Sequence, residues 1–516
     1  MNTEKFLETT AELNSAVNNF IWTKLGIWLL LGAGLLLSVC TGFFQLTRIN
    51  VWWKCTVCAL FKRKKGDKKQ NGKNSISQFQ ALCTALAATI GTGNIAGVSA
   101  AIVLGGPGAV FWIWVAAFFG MATSFAENTL GIFYRRRSPS GAWAGGAMYY
   151  LKYGLGEKKN CRALGGVLAA LFAGFTILAS FGIGNLGQVN KITVNLEAAF
   201  FSGVDLGKIG GIPVLSLIIG VVLTLLAGLI ILGGLKRIAA FAEFVVPFMA
   251  VTYIAGALTV CIINFDMLAP AFCSIFRFAL SGKAAAGGAA GAALRKTVTQ
   301  GCKRGMFSNE AGLGSSVMVH SSSDVHEPVQ QGMWGIFQVF FDTIIVCTMT
   351  AMVVLTSGAI DLKTGTAAPG TDDATLVAAS FGKLFGFWGE AFVAAAVLLF
   401  AFTTVIGWSQ YGSVAAEYLF GKRAAGIYRI VFVVLTVTGA VMTSSLAWDI
   451  SDTFNGLMML PNLIGIIALC PVIIKLTKNY TARKIRGVIQ KPLLSNYEEI
   501  QIEEQTELEK ELYETV

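Results

Sequence analysis

Histidine is nearly missing: His320 and His326 are the only two in 516 residues. Charge is scarce as well. Asp, Glu, Lys and Arg make up 13% of the chain, about half of what a soluble domain carries. So little charge cannot cover a soluble surface. With 54% hydrophobic residues and a mean hydropathy of +0.64, the chain reads as a polytopic membrane protein. Two histidines leave little room for histidine catalysis, and no G-x-S-x-G, H-E-x-x-H or Walker A run occurs. No enzyme is expected. The ten cysteines lie scattered in or beside apolar runs, as small apolar side chains rather than a disulfide frame. Cys55 and Cys58 form a C-x-x-C with no second pair and no nearby histidine, which argues against zinc or redox chemistry. The formal charge of +11 sits in clusters between apolar runs. That pattern marks membrane topology and not nucleic-acid binding.

What is present is a series of apolar runs of spanning length, each about 20 residues or more. Eleven are predicted, near residues 22–46, 79–104, 109–133, 164–187, 212–233, 241–264, 286–319, 331–357, 388–418, 427–446 and 454–474. The first follows about twenty polar-to-mixed residues and has no basic leader, so it is not read as a signal peptide. Basic loops follow spans 1, 3, 5, 9 and 11, for example "YRRR" at 134–137 and "KLTKNYTARKIR" at 475–486. With eleven spans these all fall on one side. The opposite loops are poor in charge or acidic, apart from Arg295, Lys296, Lys303 and Arg304 leading into span 7. The positive-inside rule then puts residues 1–21 outside and the tail 476–516, acidic at its end, in the cytoplasm. The transmembrane domain is expected over 22–475.

Two spans are interrupted by residues that open a helix. "IGTGNIAG" breaks span 2 around Gly91 to Asn94, and "KRGMFSNEAGLGSS" at 303–316 breaks span 7. Non-helical backbone at this depth is tolerated where it lines a cavity or is buried in protein. The broken spans stand five apart, so each opens a set of five, spans 2–6 (about 79–264) and spans 7–11 (about 286–474). An odd number of spans per set gives the sets opposite topology, the layout of inverted-repeat secondary transporters. Taken alone, Gly91 and Gly93 also suit a close-packing face of an intact helix. The second break at the matching repeat position favours the opened one.

"TALAATIGTGNIAGVSAAI", "GGPGAVFW", "AGGAMYYL", "GNLGQVN", "FSNEAGLGS", "FDTIIVCTMTA" and "SDTFNGLMMLPNL", in this order over about residues 75 to 475, resemble the alanine/glycine:cation symporter family. The resemblance implies an all-α LeuT-type core of two inverted five-helix repeats after one extra helix. It also implies sodium-coupled uptake of alanine or glycine across a plasma membrane, a bacterial inner membrane in this reading. The cargo would be the amino acid and the co-transported sodium ion, and the lipid bilayer the surrounding partner. One position departs: Ala147 stands where the family more often has proline, in a loop read as distant from the breaks.

Carried over, the resemblance gives Thr92 and Gly93 as amide donors to the substrate carboxylate. Asn94 would offer its side-chain oxygen to a sodium ion beside it, or cap the restarted helix. A second sodium would take the carbonyls of Ala87 and Ile90 and the hydroxyls of Thr403 and Thr404, unless those hydroxyls bond back to their own helix. Gln188 is the side-chain candidate for the substrate, with Asn185 as support. Phe307 and Trp408 would close an apolar wall over a small side chain. Asp342 and Glu127 are intramembrane carboxylates, functional by default. Asp342 suits a sodium or ammonium contact, whereas Glu127 is expected to pair with the arginines at 135–137. Asn309 and Glu310 would coordinate across the second break or brace it. The alternatives are a proton-coupled or other small-solute transporter, and a channel, for which no ring of charge or repeated pore is visible.

Overall fold

In lipid every backbone polar group must be satisfied within the segment or by protein, so these apolar runs fold as helices. The computed structural model describes residues 3–61, 75–139, 141–280, 288–367, 375–442 and 446–514. The basic run Lys62–Lys73 and the acidic pair Asp372 and Asp373, both used above for orientation, lie outside the described residues. Nine helices among the described residues are long and apolar enough to span a membrane. They are α1 (Thr9–Cys40), α4 (Ala109–Phe133), α5 (Arg162–Phe200), α6 (Val214–Ile231), α7 (Leu235–Ile263), α11 (Pro328–Thr356), α13 (Phe387–Phe420), α14 (Lys422–Val441) and α15 (Asp449–Ala468). The pair α2 (Gln78–Thr89) and α3 (Gly93–Gly105), bent by 57° at its break, makes a tenth.

The expected seventh span is present as α9 (Gly288–Asn309), a turn, and the short α10 (Val317–His320). By composition it does not qualify as a crossing, because four basic residues and the polar break fall within it. Further helices are α8 (Phe265–Leu280), α12 (Leu376–Phe385), α16 (Cys470–Tyr480) and α17 (Glu498–Glu514), beside several shorter turns of helix. Two short antiparallel hairpins complete the fold: β1 (Arg136–Arg137) pairs β2 (Trp143–Ala144), and β3 (Lys208–Ile209) pairs β4 (Ile212–Pro213).

Several boundaries differ from expectation. The chain is helical from Thr3 through Asn19 and on into the first span. Asn18 donates to Asp452 Oδ2 at 2.9 Å and the Trp22 indole to the Asp452 carbonyl at 3.2 Å, fastening this helix to α15. The first span ends at Cys40, because Gly42 and Phe43 adopt left-handed backbone and turn the chain into short helices from Phe44 onward. Span 4 runs on to Phe200 through a π-helical turn at Gly182–Leu186. The acidic tail is the helix α17, docked on the protein. Helix α2 starts with a capping box, Ser77 Oγ accepting from the Gln80 amide and Gln80 Oε1 from the Ser77 amide. The apolar core runs through α1, α4, α10, α11 and α15 on one side and α2, α7, α11 and α13 on the other.

Candidate functional site

The first break begins where α2 runs out of partners. The amide that would close the bond to the Ala87 carbonyl belongs to Gly91, and it donates instead to Asn94 Oδ1 at 3.0 Å. One side chain thus bridges the gap while freeing a carbonyl of α2. Ile90 leaves the helical region at ψ 89°. Thr92 and Gly93 stand at the start of the restarted helix, where the first amides have no partner within it. Asn94 therefore caps the break. Its oxygen, the expected sodium ligand, is already engaged with Gly91.

The other end of Asn94 joins the two breaks. Its Nδ2 donates to Ser308 Oγ at 2.9 Å and to Asp342 Oδ1 at 2.9 Å. Ser308 and Thr343 donate to Asp342 Oδ2 at 2.8 and 2.7 Å. Asn309 donates to Thr343 Oγ1 at 3.2 Å, and its own oxygen holds the Ala311 amide at 3.0 Å. Asp342 is thus fully buried among neutral donors, one layer away from the cavity described below. Asn309 is a brace at the start of the second break. Beyond it, Glu310, Gly312 and Gly314 take positive φ of 55°, 91° and 76°. The backbone turn at Gly312 demands glycine, and a β-carbon there would also push the tip of Leu30, 2.1 Å away, aside.

Between the breaks lies a small cavity lined by Gly91, Gly93, Gln188, Phe307, Thr404 and Trp408, together with Ala88, Thr89, Ile183, Glu310 and Asn455. Its free volume is ≈ 10 Å³, room for about one water. Admitting an amino acid requires its walls to move. Five residues expected at the site line it: Gly93, Gln188, Phe307, Thr404 and Trp408. Gln188 Oε1 accepts from the Thr92 hydroxyl at 3.1 Å and Nε2 donates to the Ile183 carbonyl at 3.2 Å, a bond made possible by the π turn of α5. The same turn carries Gly184, where a β-carbon would meet Trp408 Cβ at 2.4 Å. Asn185 donates to the Phe432 carbonyl at 2.7 Å, a support contact away from the cavity.

The threonine pair divides. Thr404 Oγ1 lies 3.5 Å from the Ile90 carbonyl and 3.0 Å from that of Phe400. Thr403 Oγ1 donates to Phe400 at 2.9 Å and faces Met249 Sδ at 3.5 Å. Both bond back to their own helix, and Thr404 is the one turned toward the break.

Three residues carry more than the sequence indicated. Glu310 accepts from the Trp408 indole at 2.9 Å and from Ser315 at 2.6 Å, fixing the aromatic wall to the second break. Asn455, from the "SDTFNG" run, is buried at the cavity with its Oδ1 unpartnered. Polarity at the start of span 11 was the available signal. Glu127 does not pair with the arginines. It lies eight residues, about 12 Å of helix, before Arg135, and its Oε1 accepts from the Gly314 amide at 3.0 Å and from Asn462 at 2.6 Å. Asn462 also donates to the Gly312 carbonyl at 2.8 Å and accepts from the Tyr150 hydroxyl. The loop with Ala147 therefore reaches the second break after all: Tyr150 bonds into it, and Gly146 packs on Met318.

A family model described as the sodium:alanine symporter family matches residues 7–494. A Methanococcus maripaludis protein named sodium/alanine symporter AgcS is 42% identical over 471 residues, 91% of this chain and 96% of its own. A Haemophilus influenzae protein named only as an uncharacterized transporter is 42% identical over 477 residues, 92% of this chain and 97% of its own. A Bacillus subtilis protein named probable sodium/glutamine symporter GlnT is 37% identical over 489 residues, 94% of each chain. Among solved structures, MhsT in complex with L-phenylalanine matches with a TM-score of 0.52 over 79% of this chain and 99% of that one, at 15% identity. That likeness shows the fold, an all-α LeuT-type transporter core.

Proposed function

We propose that this chain, which belongs to the sodium:alanine symporter family, carries alanine or glycine inward together with sodium by alternating access. One observation supports this above the others: Asn94 and Ser308, at 2.9 Å, bring the two helix breaks together around a small cavity. In this reading the amides of Thr92 and Gly93, at a helix start, receive the substrate carboxylate. Gln188 and the Thr92 hydroxyl orient it. Phe307 and Trp408 limit the side chain. Sodium, a hard cation, takes oxygen ligands: Ala87, Ile90, Thr404 and Thr403 on one side, and on the other Asn94 beside Asp342 and Asn309, once the Asn94 and Asn309 oxygens release the Gly91 and Ala311 amides that they hold. The cavity must widen to hold the cargo, which enters or leaves when one set of helices rocks against the other. The basic loops support an orientation with the N-terminus outside and the tail in the cytoplasm.

The test is uptake of labelled alanine into proteoliposomes under an inward sodium gradient, with glycine, serine, leucine and glutamine as competitors. Accumulation that collapses with the sodium gradient is expected, with glycine the strongest competitor. Uptake that ignores sodium and follows an imposed proton gradient would replace the coupling ion. Strong competition by glutamine, which the GlnT relative's name makes worth including, would overturn the small-substrate reading.

A further inference from the structure

Away from the breaks, a cleft of ≈ 770 Å³ opens between the end of α1 and α16 with the turn that follows it. That is the size of a small-molecule site. Arg48 enters from one wall, and Lys475, Lys478 and Arg486 from the other. The last three stand at helical spacing, so they share one face of α16 and its continuation. None of the described residues lining the cleft is Asp or Glu. Arg483, on the neighbouring face, has an anionic partner in Glu327, 2.7 Å away through two bonds. Four like charges gathered in one concavity repel each other unless an anion joins them.

The cleft is also apolar at its membrane side. Val39, Phe44 and Ile474 form that wall. It continues onto exposed Leu35 and Leu36, on a helix that spans the bilayer, and onto exposed Leu46 in the short helix after it. A ligand that satisfies both halves carries a phosphate at one end and hydrocarbon at the other. We infer that this cleft binds the headgroup of an anionic phospholipid, its phosphodiester among Arg48, Lys475, Lys478 and Arg486 and its acyl chains along Leu35, Leu36 and Val39. The basic face on which it opens is the one the topology assigns to the cytoplasm, where anionic headgroups attract such cations. The lipid would join the end of α1 to α16, away from the transport site.

The probe is phosphatidylglycerol, titrated against phosphatidylcholine onto the full-length protein in detergent and read by native mass spectrometry. One anionic lipid is expected to be retained in preference. Each cation removed should lower that preference about fivefold, so K475Q/K478Q/R486Q should abolish it. A control with three other basic-loop cations replaced, K159Q/R162Q/R423Q, should keep it. Both variants are first checked for a monodisperse elution profile and for retained alanine binding, which separates lost lipid from lost fold. Equal loss in the control would mean that only general surface charge matters, and would overturn the site. Unchanged preference in the triple variant would overturn it as well. Inorganic phosphate at millimolar concentration should not displace the lipid. If it does, the cleft is a free-phosphate site and the lipid assignment fails.

Discussion

Thr404→Val removes one oxygen and keeps the shape of the side chain. Oxygens that share a hard cation at about 2.4 Å lie about 3.4 Å apart when they subtend a right angle. The Thr404 hydroxyl and the Ile90 carbonyl are 3.5 Å apart, which is that spacing. Sodium would draw the hydroxyl off its bond to the Phe400 carbonyl and use both oxygens. Losing this ligand should raise the sodium half-saturation of alanine uptake about tenfold or more, equal to about 1.4 kcal/mol. Losing only the bond to Phe400 would cost about 1 kcal/mol of stability and leave sodium dependence alone. Thr403→Val is the internal comparison. Its hydroxyl faces Met249, so it must rotate to reach a cation at the first break, and a smaller shift is expected. Sodium titrations of initial uptake, normalised to protein in the vesicles, decide the matter. An unchanged half-saturation in Thr404→Val, with uptake intact, would refute the argument.

Three further outcomes follow from contacts at the site and the tail. Trp408→Ala should weaken alanine transport yet let valine and leucine compete about tenfold better; an unaltered ranking of competitors would remove Trp408 from the pocket. Gly184→Ala places a carbon 2.4 Å from Trp408 Cβ, so a thermal-unfolding assay should show about 1–3 kcal/mol of destabilisation from overpacking; no loss would mean that the π turn yields freely. At the tail, Glu504 Oε2 meets His326 at 2.5 Å and Oε1 lies 3.6 Å from Arg135. Burial alone would raise this carboxyl, but the His326 bond and the charges of Arg135, His326 and Arg137 outweigh it and hold its pKa below the usual value. Its contribution to docking is therefore full above the usual carboxylate range and lost as pH falls through the lowered value. Glu504→Gln leaves Arg135 buried without this partner and should loosen α17 by about 3 kcal/mol, seen as faster hydrogen exchange over residues 498–510; unchanged exchange would make the contact incidental.

Both breaks were legible because they are local. Gly91, Gly93 and Asn94, and then Ser308, Asn309, Gly312 and Gly314, are residues that open or cap a helix wherever they stand. Five of the expected site residues meet at one cavity for a related reason, since the repeat fixes which spans approach. What escaped the sequence is set by side-chain direction and by distant partners. The helical rise already separates Glu127 from the arginines two turns on, but that its partners are Gly314 and Asn462 depends on which way α4 turns it. Adjacent threonines look equivalent in sequence, yet a step of one residue on α13 points Thr403 to Met249 and Thr404 to the break. The tail reads as an acidic run, whereas its docking depends on Glu504 meeting Arg135 from the far end of the chain. The polar composition of span 7 hid it from a test of hydropathy, for the same reason that it carries chemistry.

The claim that alanine and sodium occupy one site built from the two breaks is tested most directly by equilibrium binding on purified protein. Labelled alanine is titrated at several sodium concentrations, and sodium at several alanine concentrations. Linkage requires the two affinities to change by the same factor. The account predicts that sodium raises alanine affinity about tenfold or more and that alanine raises sodium affinity equally. An alanine affinity that stays flat across sodium concentrations would contradict it.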